Sequence, residues 1–200
     1  MDKQLLRREG FATIEAIKPE EKASASVAIC RQLADTRVFR EAEVIFAYLS
    51  MTSEPTLESL FSTYPQKRWG FSRINDEGLL EFYHVTGISQ VAVGEYGIFE
   101  PDPKQCKKLT PEEVNLVLVP GVAFDSSNGA RLGRGRGHYD RYLSKVAATP
   151  EPAHIMGVCF SNQLTSLNPE EHDVPMDRII TEKGIVQHIA TTNVIDATGA

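Results

Sequence analysis

The sequence predicts an α/β domain in three layers: a mainly parallel sheet with helices on both faces. Three observations carry this. Apolar runs at Val44–Leu49 (VIFAYL), Val114–Val119 and His154–Phe160 (HIMGVCF) are near-continuous rather than alternating, as in strands buried on both faces. Stretches of helical pattern fall between them, the order that gives parallel strands joined by crossover helices. A glycine-rich loop lies between one such strand and a helix, and ligands in open α/β sheets bind at the carboxyl ends of the strands.

The elements follow in order. The apolar positions from Leu5 to Ile17 give a first helix with a mixed face. Pro19 suits the first position of a second helix, and Glu20 and Glu21 suit its positive start. Val27, Ala28, Ile29, Cys30, Leu33 and Ala34 form that helix's apolar stripe. After the strand at Val44–Leu49, Thr56–Phe61 reads as a short helix. Arg68–Phe71 and Leu79–Val85 read as strands flanking the turn Asn75-Asp76-Glu77-Gly78. Val114–Val119, a helix at His138–Val146 and His154–Phe160 come next. Arg178–Thr181 and Ile185–Ile189 suggest a closing hairpin-like pair. Residues 1–190 are expected to form one domain and 191–200 an exposed tail.

The chemistry concentrates after Val119. A polar turn, Asp125 to Gly129, leads to Gly133, Gly135 and Gly137 at alternate positions, interleaved with Arg131, Arg134 and Arg136. Glycines let a backbone approach a ligand closely, free amides at a helix start favour an anion, and guanidinium forks match phosphate oxygens. Residues 131–145 carry Arg131, Arg134, Arg136, Arg141 and Lys145 against the single acid Asp140, in a chain of net charge −6. A polyphosphate site is the economical reading. The loop is not a P-loop, since no Gly-Lys-Ser/Thr follows the glycines. Nor is it the dinucleotide fingerprint, which needs glycine where His138 stands and an acid about twenty residues on. An Arg-Gly segment binding RNA is the competing reading, but such segments are usually longer and disordered, and the acidic balance argues against a general nucleic-acid binder.

Cys30, Cys106 and Cys159 lack metal spacing and read as buried thiols of a reducing compartment. The start, MDKQLLRREG, lacks an apolar signal core, and no run approaches the length of a membrane span. A cytoplasmic protein without membrane contact is expected.

Residues 120–143, PGVAFDSSNGARLGRGRGHYDRYL, resemble the signature of the 5-formyltetrahydrofolate cyclo-ligase family, also called methenyltetrahydrofolate synthetases. KQLLR at Lys3–Arg7 is similar to the family's N-terminal K-x-x-x-R element, and EHDVPMDRIIT at Glu171–Thr181 to its C-terminal element. GEYGIFEPDP at Gly94–Pro103 sits where the family has glycine-isoleucine-x-glutamate-proline. The resemblance implies ATP-driven closure of 5-formyltetrahydrofolate to 5,10-methenyltetrahydrofolate, with ATP and magnesium, by a monomer without nucleic-acid or membrane partners. It implies an ATP site of Lys3, Gln4, Leu5, Leu6 and Arg7 together with Arg131, Leu132, Gly133, Arg134, Gly135, Arg136, Gly137, His138 and Tyr139. Arg134 and Arg136 would be the catalytic cations, offsetting charge on the phosphates. Leu49, Glu54, Tyr96, Ile98, Arg134 and His138 would meet the folate, beside Met51, with Arg73 a weaker candidate because Ser72 replaces the usual proline. Asp140 and Asp177 would hold magnesium. His138 replaces the family's usual aromatic and is expected to pack or to contact phosphate. Without the resemblance, Lys3 and Arg7 read as a solvated helix face. The other functions weighed are a sugar-phosphate isomerase, an acyl-CoA transferase-like enzyme and a non-catalytic nucleotide or RNA binder.

Overall fold

The structure is a computed structural model that describes residues 2–94 and 99–187. Its elements are α1 (Lys3–Glu15), α2 (Pro19–Ala34), α3 (Arg37–Glu41), β1 (Val44–Ala47), α4 (Glu58–Thr63), β2 (Arg68–Ile74), β3 (Leu80–His84), β4 (Val91–Val93) and β5 (Phe99–Pro101). There follow β6 (Lys107–Leu109), β7 (Leu116–Val119), β8 (Ala123–Phe124), β9 (Arg131–Leu132), α5 (His138–Ala147), β10 (His154–Val158), β11 (Arg178–Thr181) and β12 (Gly184–Gln187). The expected tail, 191–200, lies outside the described residues.

The main sheet has the order β12-β11-β10-β7-β1-β2-β3-β6. Its centre, from β11 to β2, is parallel. β12 on one edge and β3 and β6 on the other run antiparallel. The sheet is therefore mixed, mostly parallel at its core. Both faces are buried, which is why the apolar runs are continuous. In β7, Leu116 and Leu118 pack with Ile29 and Leu33 of α2 and Phe39 of α3, while Val117 and Val119 pack with Leu143 and Val146 of α5. The α5 contribution follows from spacing, since Tyr142, Leu143 and Val146 share one helical face.

Three departures from the sequence reading matter. Val119 does not run straight into the glycine loop: the two-stranded ribbon β8–β9 intervenes, closed by Asp125, which accepts from the Ser127 N–H and from Leu167 N at 2.8 and 2.7 Å. α1 covers neither sheet face in its first turns; Leu6 packs with Ala123, Ala130 and Leu132 of the ribbon region. At Gly10 an added Cβ would lie 2.6 Å from Val122, so glycine is what allows α1 to approach so closely. α3, β4, β5 and β6 were not anticipated, being too short to show a period. No helix among the described residues is long and apolar enough to cross a membrane.

Candidate active site

β1 lies between β7 and β2, and the chain leaves the two sides of this switch point in opposite directions. A cavity of about 370 Å³ opens there, beyond the carboxyl ends of β1 and β7. Its lining comes from the segment after β1 (Tyr48, Leu49, Met51, Glu54), from Pro120 and Gly121 after β7, from β2, β3 and β5, and from Arg131, Gly133, Arg134 and residues 136–140.

The glycine loop forms one wall. Gly135 and Gly137 take φ of +99° and +63°, values that favour glycine. Each of the three glycines has a guanidinium where a side chain would begin. A Cβ would lie 3.1 Å from Arg131 Nη1 at Gly133, 3.2 Å from Arg7 Cζ at Gly135, and 3.1 Å from Arg141 Nη1 at Gly137. With Arg134 and Arg136 in the loop itself, five arginines surround it. Arg7 Nε donates to the Gly133 carbonyl at 2.9 Å, and Arg141 Nη1 to the Arg136 carbonyl at 3.0 Å. α5 begins at His138, so its first amides face the same region.

Arg134 joins this wall to the opposite one. Its Nη2 donates to Ser53 Oγ at 2.7 Å and lies 3.6 Å from Glu54 Oε1, and its guanidinium sits 5.1 Å from the Phe11 ring centre. Glu54 is held by its own turn: Met51 N–H donates to Oε2 at 3.0 Å, and Tyr48 Oη fixes the segment through the Pro55 carbonyl at 2.9 Å. Burial raises the Glu54 pKa above the usual carboxylate range, against the opposing effects of Met51 and Arg134. An apolar slot with the Glu54 carboxylate on one wall, and Glu100 beside it already paired with Arg73, suits a flat heterocycle that donates hydrogen bonds.

The predicted residues are distributed as follows. Arg131, Gly133, Arg134, Arg136, Gly137, His138, Tyr139 and Asp140 line the cavity, as do Leu49, Met51, Glu54 and Arg73. Arg7 reaches the loop, whereas Lys3 is paired with Glu170 and Asp173 at 3.0 and 3.3 Å. Burial alone would lower the Lys3 pKa, but those two carboxylates hold it above its usual value. None of Gln4, Leu5, Leu6 and Leu132 lines the cavity: Gln4 and Leu5 are exposed, and Leu6 packs on Leu132, which anchors α1 to the ribbon. Tyr96 and Ile98 lie outside the described residues. Arg73 is engaged within the protein, pairing with Glu100 at 3.3 Å and donating to the Pro101 carbonyl. His138 accepts or shares a hydrogen bond with Arg141 Nη2 at 3.1 Å; burial and then the Arg141 charge lower its pKa, so the imidazole is neutral near pH 7.

Asp140 and Asp177 are not brought together, which corrects the expectation of a shared metal site. Asp140 Oδ1 accepts from Arg131 Nη2 at 2.7 Å on the cavity wall. Asp177 precedes β11, and its Oδ2 accepts from Ile155 N–H at 2.7 Å where β10 and β11 begin, outside the cavity lining. That carboxylate closes an open end of the sheet. Residues the sequence reading did not assign to the site are Phe11, Ser53, Glu100 and Arg141. Arg141 had a local signal in the basic run, and Glu100 is the glutamate of the segment GEYGIFEPDP; Phe11 and Ser53 depend on chain crossing.

The sequence matches the model of the 5-formyltetrahydrofolate cyclo-ligase family over residues 1–182. The chain belongs to that family. It is 28% identical to a Saccharomyces cerevisiae 5-formyltetrahydrofolate cyclo-ligase over 92% of this chain and 97% of the relative. A Mycolicibacterium smegmatis cyclo-ligase is 43% identical over 48% of each chain. The solved NMR structure of Aquifex aeolicus 5,10-methenyltetrahydrofolate synthetase superposes with a TM-score of 0.84 at 28% identity, covering 98% of this chain and 97% of that one. Cyclo-ligase membership turns the loop and the slot into two halves of one candidate site, with Arg134 between them.

Proposed function

We propose that this chain catalyses the ATP-dependent cyclisation of 5-formyltetrahydrofolate to 5,10-methenyltetrahydrofolate, releasing ADP and phosphate. The observation that carries the reading is Arg134, which spans from the anion-ready loop to the buried Glu54. The formyl oxygen is a poor leaving group. Transfer of the γ-phosphoryl group makes it a good one: the O–P bond forms as the bond to ADP breaks. The 10-nitrogen then attacks the formyl carbon and releases its proton to solvent, and phosphate departs with the former formyl oxygen. Such a reaction needs positioning and charge stabilisation rather than a protein nucleophile. Loop amides and Arg136 hold the phosphates, Arg134 meets charge on the transferring group, and Glu54 accepts hydrogen bonds from the amino-pyrimidinone edge of the pterin.

Magnesium fits as the nucleotide's companion. Of the carboxylates lining the cavity, Asp140 lies beside the loop and would offer it Oδ2, its Oδ1 being paired with Arg131, with phosphate oxygens as further ligands, and the ion would offset phosphate charge. The three cysteines are buried and unpaired, which suits a reducing compartment such as the cytoplasm.

The test is ADP release by the purified protein with ATP and magnesium. Release should require 5-formyltetrahydrofolate and be accompanied by methenyltetrahydrofolate absorbance. Release without folate, or none with it, contradicts the reading.

Two further results are expected. Arg7→Ala should raise the KM for ATP by ~10-fold, the value of one charge-assisted contact. Lys3→Ala should raise it by less than ~3-fold, because its ammonium is already paired away from the loop. Steady-state kinetics separate the two. Glu54→Gln should weaken folate binding by roughly 10- to 100-fold, since a donor replaces an acceptor in a buried pairing. It should also change the pH dependence of stability. The folded Glu54 pKa lies above its unfolded value, so the native state binds this proton more tightly, and stability falls as pH rises through the window above the unfolded pKa. The ligand-free Glu54→Gln protein lacks that loss. It should melt higher than wild type at pH 7, with the difference shrinking towards pH 4; equal melting at both values would show that Glu54 carries no burial penalty.

A further inference from the structure

We propose that Arg131 and Asp140 form an internal staple that sets the shape of the glycine loop, making Arg131 a positioning residue rather than a phosphate ligand. The proposal rests on the nucleotide-site reading of the loop. The Arg131 side chain is 4% exposed, against 42% for Arg134, although both belong to one basic run. It leaves β9, passes beneath Gly121 and Gly133, and ends on Asp140 in the first turn of α5. A Cβ on Gly121 would lie 3.0 Å from Arg131 Cγ, and one on Gly133 3.1 Å from Nη1. The first glycine of the triplet thus makes room for an arginine of the protein itself. Nη1 also points to the Pro120 carbonyl at 3.5 Å, and the guanidinium carbon sits 5.4 Å from the centre of the Tyr139 ring. Nε is buried with no partner, so the ion pair, not full satisfaction of the guanidinium, decides where the group sits. Residues 131 and 140 bracket the loop, so the pair ties its two ends together. Removing one partner of a buried pair leaves the other an uncompensated charge.

The staple predicts a sign that charge alone does not. Removing an acid beside phosphates should tighten nucleotide binding on Coulombic grounds. Asp140→Asn should instead weaken binding of a non-hydrolysable ATP analogue by ~10-fold when measured by calorimetry in EDTA, where no metal contributes. Arg131→Lys, which keeps the charge but loses the fork, should weaken it similarly, and the double variant should be no weaker than the worse single one. Unchanged or tighter binding by Asp140→Asn, or additive losses in the double variant, would overturn the proposal. A nucleotide-free readout keeps the two readings apart. Tryptic cleavage after Arg134 and Arg136 should quicken ~10-fold in either single variant, because the loop opens more often; unchanged cleavage also overturns the staple. If wild-type protein binds no analogue even with magnesium present while cleavage still quickens, the nucleotide reading fails and the staple stands.

Discussion

Gly135→Val is expected to cut ATP affinity by ~100-fold or more, the loss of two charge-assisted phosphate contacts at roughly 1.5–3 kcal/mol each, while leaving the protein folded. Two independent causes act at this position. The backbone sits at φ +99°, where a β-branched residue is strained, so the loop must move for valine to be accommodated. The new side chain also meets the Arg7 guanidinium 3.2–3.5 Å away and displaces it. The sheet core is distant from both effects, since the loop contributes no side chain to the clusters on either face beyond Tyr139 of α5. Calorimetric titration with an ATP analogue, beside a thermal melt, reads the two separately. Unaltered affinity in a folded variant would mean that the loop does not cradle phosphate.

Arg134→Met should lower kcat by about 100- to 1000-fold, the usual effect of removing one preorganised donor at developing charge. Methionine keeps an unbranched apolar stem near Phe11, so the loss isolates the guanidinium. Glu54 and Ser53 lose their partner as well, so folate KM should rise modestly. The expected signature is a kcat loss much larger than either KM change. Were KM for ATP to rise a hundredfold with kcat intact, Arg134 would serve binding uniformly and not the transition state.

The fold was readable where physics leaves a local imprint. Strands buried on both faces must be apolar at every position, so β1, β7 and β10 stand out; α2 shows its proline start and buries Ile29, Cys30 and Leu33 of its expected stripe, whereas Val27 of that stripe is turned to solvent, and α5 shows the spacing of Tyr142, Leu143 and Val146. Elements such as α3, β6 and the ribbon β8–β9 are short and show neither a period nor a sustained apolar run, and their existence depends on neighbours. The site divides in the same way. Alternating glycines and arginines announced an anion loop, but which arginines face outward did not follow from spacing. Arg131 turns inward because Asp140 waits across the loop, and Arg134 turns outward towards Ser53, eighty-one residues away in sequence. Lys3 and Arg7 share one helix, yet the acids at 170 and 173 capture the first while the second meets Gly133. Asp177 matched a family position, but its carboxylate completes the sheet's hydrogen bonding at Ile155.

The central claim is that ATP phosphorylates the formyl oxygen, and the fate of that oxygen tests it most directly. The protein should be given 5-formyltetrahydrofolate labelled with oxygen-18 in the formyl group, ATP and magnesium, and the released phosphate examined by mass spectrometry. Direct phosphoryl transfer predicts one labelled oxygen in each phosphate formed, in step with methenyltetrahydrofolate. Unlabelled phosphate, with the label lost to water, would mean that ATP hydrolysis only accompanies ring closure, and would contradict the account.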